Sequence, residues 1–172
     1  MKSKKFAKKY GAKIVCYRDL PRQHQKAIGH YMFLDGEAWD IENDNWRNHP
    51  YWSKSYPTNK DRDDYDAYIY RVMVRNIPYF IKEHGGTKFG VGEIPTEVML
   101  GEVLKSKWPH PSINTPDLFK QWVKKYGNVP NHPKKNRWPV ILDDDSIIQD
   151  GWHRFSLYLL RGDETIPVIY YA

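Results

Sequence analysis

The sequence predicts an α/β (α+β) fold: a small mixed sheet with flanking helices. Three observations carry that expectation. Short apolar runs at 88–94, 140–142, 146–148 and 165–171 have strand length and are bounded by turn residues. Stretches with helical spacing lie between them, as in Leu118, Phe119, Trp122, Val123 and Tyr126. Gly and Pro punctuate the joins at Gly85-Gly86, Thr115-Pro116, Gly127 and Gly162. At 172 residues the chain has the length of one domain, or of one domain with a large extension. A hydrophobic content of 40% with 15% aromatics makes it globular rather than disordered.

Taken in order, the chain opens on a lysine-rich arm, Met1 to Tyr10. Residues 1–26 hold nine Lys/Arg against one acid, Asp19, a local +8 in a chain of net +6. Such an arm attracts polyanions, and it also suits a solubilising tail; both readings stand. Ala12 to Tyr17 reads as a short strand. Pro21 opens a helix whose buried face is Ala27, Ile28, Tyr31 and Met32, and Asp35-Gly36 ends it. Residues 37–60 read as a loop pinned by Trp39, Trp46, Tyr51, Trp52 and Tyr56. From Asp61 to Glu83 a helix is favoured over a Tyr- and Val-rich strand. It would bury Tyr65, Tyr68, Ile69, Val72 and Met73, with Asp61, Asp63, Asp64 and Asp66 at its positive end and a break near Pro78.

Lys88 to Ile94 reads as a strand interrupted by Gly90 and Gly92, and Thr96 as the cap of a helix over Glu97 to Lys107. Thr115-Pro116-Asp117 opens a further helix, with a capping Thr, Pro at its first position and an acid in its first turn. Asn128 to Arg137 is a basic loop. The last stretch reads as strand, acidic turn Asp143-Asp144-Asp145, strand, helix, Gly162 stop and closing strand. In it Asp150 stands at the expected N-cap, with Gly151, His153 and Arg154 on the first turn. Free backbone N–H groups and the positive dipole end favour an anion there.

Several function classes are excluded or set apart. Cys16 is the single cysteine, so an internal disulfide framework is excluded. No apolar run approaches about 18 residues, and the N-terminus lacks the apolar core of a signal peptide, so a cytoplasmic protein is expected. His49, His110 and His132 neighbour prolines without ligand spacing, so a histidine metal site is not expected. The acids Asp143 to Asp145 suit Mg²⁺ with phosphate, although a solvated turn accounts for them better. Glu93, at the end of the 88–94 strand, is the carboxylate placed to accept a proton, with an exposed loop acid as the simpler account. Lys120, Lys124, Lys125, Lys134, Lys135 and Arg137 against Asp117 give +5 over 117–138. With Trp122, Tyr126 and Trp138 interleaved, that composition suits nucleic-acid backbones and stacked bases, or a solvated helix face.

The junction Asp150-Gly151-Trp152-His153-Arg154, followed by a helix, a Gly and Ile166-Pro167-Val168, resembles the ParB/sulfiredoxin-like superfamily in its ParB-like nuclease domain form. The resemblance covers about 87–172, leaving 1–86 as a basic arm and an aromatic-rich helical extension. It implies a nucleotide, such as ATP, ADP or CTP, with phosphates held by Gly151, His153 and Arg154. It also implies phosphoryl transfer or phosphodiester cleavage if the chain is an enzyme, with Mg²⁺ neutralising phosphate charge, and Glu93 and His153 as catalytic candidates. Trp152 stands where sulfiredoxins carry their cysteine, so sulfinic-acid reduction is not expected. With the chain ending at Ala172, the DNA-reading domain of partition proteins is not expected either. The second expectation is a non-enzymatic DNA-, RNA- or protein-binding accessory protein of phage or mobile-element type, using the basic arm and the aromatic loop.

Overall fold

The computed structural model describes residues 3–35, 67, 70–126, 133–145 and 147–172. Its helices are α1 (Ser3–Lys9), α2 (Arg22–Asp35), α3 (Ile77–His84), α4 (Thr96–Lys105), α5 (Pro116–Tyr126) and α6 (Trp152–Arg161). Residues 70–75 add a helical stretch before α3. The strands are β1 (Lys13–Cys16), β2 (Lys88–Pro95), β3 (Val140–Asp143), β4 (Ile147–Asp150) and β5 (Thr165–Tyr171). They form one mixed sheet in the order β1-β2-β5-β3-β4. Only the β3–β5 pair is parallel; β1–β2, β2–β5 and β3–β4 are antiparallel. The α/β fold with a small sheet and flanking helices is therefore the observed one.

Strand alternation buries both faces of the sheet. Phe89, Ile141 and Ile169 point to one face, where Ile28 and Met32 of α2, Val72 and Met73, and Phe80 of α3 cover them. Ile94, Val140, Leu142 and Val168 point to the other, against α1, α4, α5 and α6. The three-layer arrangement brings four chain ends to one edge of the sheet. The C-terminal ends of β2 and β4 and the N-terminal ends of β3 and β5 lie side by side there.

Residues 1–86 do more than extend the 87–172 unit. β1 pairs with β2 from Lys13↔Val91 to Cys16↔Lys88 and so contributes an edge strand to the sheet. The lysine-rich arm contains α1, which buries Phe6 and Ala7. The acidic turn Asp143 to Asp145 holds the start of that helix. Lys4 N donates to Asp144 Oδ1 at 2.9 Å, and Ser3 Oγ donates to the Asp143 carbonyl. A carboxylate at a helix start offsets its unpaired N–H groups, so Asp144 has a capping task.

Some expectations need correction. β2 is uninterrupted, and its glycines make room for neighbours: a Cβ on Gly90 would lie 2.0 Å from Tyr170 Cζ, and one on Gly92 would lie 3.1 Å from Ala12 Cα. Thr96 is the first residue of α4, not its cap; its N–H donates to Glu164 O at 2.9 Å and its hydroxyl to Asp163 O. Asp150 is the last residue of β4, and Gly151 takes the N-cap position of α6. Elsewhere the local chemistry acts as expected. Thr115 Oγ1 accepts from Leu118 N at 3.3 Å at the start of α5. Gly162, at φ +79°, ends α6 by donating to Leu159 O. The helical stretch breaks at Asn76, ahead of Pro78. The aromatic loop 37–60, the Asp61 to Asp66 acids, Tyr65, Tyr68, Ile69, His49, His132 and Gly127 lie outside the described residues. No helix among the described residues is long and apolar enough to cross a membrane.

Gly90→Ala tests the close packing of β2 on β5. The methyl group would overlap the buried Tyr170 ring, so a loss of about 2–3 kcal/mol is expected from overpacking. Urea unfolding monitored by far-UV circular dichroism measures it, and an unchanged midpoint would show that the ring moves aside freely.

Candidate functional site

β4 ends at Asp150, paired with Ile141, and α6 starts two residues later. The turn between them is made by Gly151 at φ +100°, a conformation open to glycine at little cost. A side chain there would also meet Arg154, because a Cβ would sit 2.7 Å from Nη2. The guanidinium folds back over the glycine, and Arg154 Nη2 donates to Asp150 Oδ2 at 3.2 Å. Among the described residues no side chain caps α6, and Phe155 N donates to Gly151 O at 2.8 Å. His153 is exposed on that first turn.

Arg154 belongs to a larger group of cations. Its Cζ lies 5.7 Å from the centroid of the fully buried Trp138 ring, and Lys135 Nζ lies 5.6 Å from the same ring. Tyr70 stacks on Trp138 at 6.2 Å and 22°. Lys134 Nζ and Lys26 Nζ lie 5.3 Å and 5.6 Å from the Tyr70 ring, and Lys26 donates to its hydroxyl at 3.1 Å. Lys135 Nζ also comes within 3.5 Å of His30 Nε2. Four cations thus surround one two-ring stack. Cation–π attraction keeps them close despite their mutual repulsion. Two buried donors in this group, Arg154 Nε and Trp138 Nε1, have no acceptor among the described residues. A buried donor without a partner costs about 1–3 kcal/mol, so the site favours an acceptor.

Glu93 shares this end of the sheet but not this group. β5 and β3 separate its strand from β4, a lateral distance of roughly 14 Å at the usual strand spacing. Arg137 Nη2 donates to both carboxylate oxygens of Glu93, at 3.0 and 2.9 Å, and Thr165 Oγ1 donates at 2.6 Å. Arg137 Nη1 reaches Asp163 Oδ2 at 3.2 Å and the Thr165 carbonyl at 2.9 Å. Arg161 Nε completes the clasp on Asp163 Oδ1 at 2.7 Å. With both oxygens accepting, Glu93 closes an ion-pair network joining β2, β5 and the entry to β3. The hydrogen bond from Arg161 is the main cause holding the Asp163 carboxyl below its ordinary range, and Arg137 adds to it. His24 faces the clasp from α2; burial pushes its imidazole below the usual value, and the Glu93 charge opposes that.

The structure therefore brings Asp150, Gly151, His153, Arg154 and Lys135 to one place and adds Lys134 through Tyr70. It puts Arg137 in the clasp, and Lys124 and Lys125 on the exposed side of α5. Among the described residues, no three His, Cys, Asp or Glu side chains are placed to hold a metal ion. Tyr70, Lys26, Arg161 and Asp163 are the participants that sequence reasoning passed over. Only the crowding of charge around Gly162 hinted at the last two. In comparisons with family models, curated proteins and solved structures, nothing matches this chain.

The clasp predicts a pH dependence of stability. A carboxyl with a depressed folded-state pKa stabilises fully above its unfolded value, roughly pH 4, and loses that contribution as pH falls through the folded-state value. Asp163→Asn should be less stable than the unsubstituted chain at pH 6, and the gap should be smaller at pH 3. Urea midpoints at the two pH values measure this; a constant gap would show that Asp163 acts without its charge.

Proposed function

We propose that this protein binds the phosphate groups of a nucleotide or polynucleotide at the start of α6. The observation that carries the proposal is the cluster of cations there. Arg154, Lys135, Lys134 and Lys26 gather beside a helix start that no side chain among the described residues caps, and Asp150 is the acid bonded to Arg154 among those residues. A phosphate is acceptor-rich and doubly charged, and a helix start with a guanidinium beside it suits that charge. In this reading Gly151 lets the anion approach the backbone, His153 supplies an exposed donor, and Arg154 leaves Asp150 for the ligand. The ParB/sulfiredoxin-like resemblance assigns phosphate to the same three residues and is part of the proposal.

Binding is the activity proposed. Phosphoryl transfer or phosphodiester hydrolysis needs a base at the phosphate, and Glu93 lies across two strands with its oxygens occupied. His153 is the residue left for that role. Mg²⁺, if it accompanies the ligand, would be held chiefly by phosphate oxygens, with Asp150 as the nearest carboxylate.

Calorimetric titration with ATP, ADP and CTP, each with and without Mg²⁺, tests the reading. Arg154→Ala should weaken binding by a factor of roughly 10 to 100, the loss of a charge-assisted hydrogen bond, with the circular dichroism spectrum unchanged. Equal heats for the unsubstituted chain, Arg154→Ala and His153→Ala would refute it.

A further inference from the structure

Trp152 opens α6 and also begins a row of aromatic rings that leads away from the cation group. Its ring centroid lies 4.1 Å from that of Trp108, at 30°. Trp108 meets Trp122 edge-on at 5.2 Å, and Trp122 meets Tyr126 at 6.2 Å. The inner side of the row is packing: Phe119 and Phe155 are fully buried and touch both Trp122 and Trp152 between them. Packing does not account for the outer side. Trp108 is 39% exposed and Tyr126 61%, at the solvent edge of α5.

The charge beside the row decides what could cover it. Lys125 is exposed on α5, about 60° round the helix from Trp122, and Asp117, in the first turn, is the only acid on that helix. Lys125 Nζ lies 5.2 Å from the Tyr126 ring. An apolar protein partner would leave this ammonium group unpaired at the contact. A ligand with flat rings and regularly spaced negative charge would satisfy both components.

We propose that the row Trp152-Trp108-Trp122-Tyr126, with Lys125 of α5, binds a single-stranded polynucleotide, its bases stacked on the exposed rings of Trp108 and Tyr126 and a phosphate on the Lys125 ammonium group. This deepens the phosphate reading and rests on it in one respect: the same strand continues past Trp152 to His153 and Arg154. One base covers one ring, so the two exposed rings, Trp108 and Tyr126, call for at least two nucleotides. A duplex keeps its base faces stacked on one another and offers none to Trp108 or Tyr126.

Fluorescence anisotropy with the full chain tests the proposal. The probes are end-labelled oligothymidylate and oligouridylate of about 15 nucleotides and a DNA duplex of the same length, within the footprint range of single-strand binders. Both single strands, or one of them, should bind more tightly than the duplex; comparing the two identifies DNA or RNA as the preferred sugar. Tyr126→Ala, at the exposed end of the row, should weaken single-strand binding roughly tenfold, the loss of one stacked base. It should leave ATP titrations unchanged. Lys125→Ala should lower the slope of log affinity against log salt by about 0.7, one phosphate contact. Duplex binding as tight as single-strand binding, no binding of either single strand, or an affinity indifferent to Tyr126→Ala would each overturn it. If ATP binding still depends on Arg154 in that case, the phosphate reading survives alone; if it does not, both fall.

Discussion

Trp138 is the constraint on which the arrangement turns. It sits just before β3 and is wholly buried, between Tyr70, His30 and the aliphatic residues of the α2 side. Its backbone carbonyl faces the other layer, where it accepts from the Tyr158 hydroxyl of α6 at 2.7 Å. One residue thus ties a helix of one layer to the core of the opposite layer, at the end of the sheet where β2, β5, β3 and β4 all present their tips. Burial raises the Tyr158 hydroxyl above its ordinary value, so it remains a donor throughout the physiological range. Truncating a fully buried indole typically costs about 3–5 kcal/mol, although the backbone carbonyl that accepts from Tyr158 would remain.

The placement of cations follows from this joint. With Trp138 and Tyr158 fixed, their ring faces become platforms for guanidinium and ammonium groups. Arg154 and Lys135 lie over Trp138, and Arg137 and Arg161 over Tyr158. The acids then divide the group in two. Glu93 and Asp163 claim Arg137 and Arg161 and turn that half into a clasp across strands. Among the described residues Arg154 is left with Asp150, a partly exposed partner at 3.2 Å. The half with fewer acids, beside the start of α6, is the half proposed to bind phosphate.

Features set by a few neighbouring residues were legible in the sequence. Gly162 stops α6, Thr115-Pro116 starts α5, and the apolar runs of β2, β3 and β5 fall as their patterns imply, because turn and cap chemistry acts within a few positions. Features set by distant partners were not. Nothing local shows that Asp144 caps a helix at Lys4, that Arg137 holds Glu93, or that Lys13 to Cys16 forms the edge of a sheet begun at Lys88. Asp150 was misread as a cap for a local reason: the left-handed turn at Gly151 moves the helix start on by one residue and releases the carboxylate to Arg154. Gly151, His153 and Arg154 were legible as a group, whereas the ring stack that adds Lys26 and Lys134 needed the fold.

The central claim is that the start of α6 is where an anion sits. Titration of ¹⁵N-labelled protein with inorganic pyrophosphate, followed by proton–nitrogen correlation spectra, tests it without assuming a base or a sugar. The account predicts saturable shifts of the Trp152, His153 and Arg154 amides. Shifts confined to the lysines of α1 or α5, with the α6 amides unmoved, would contradict it.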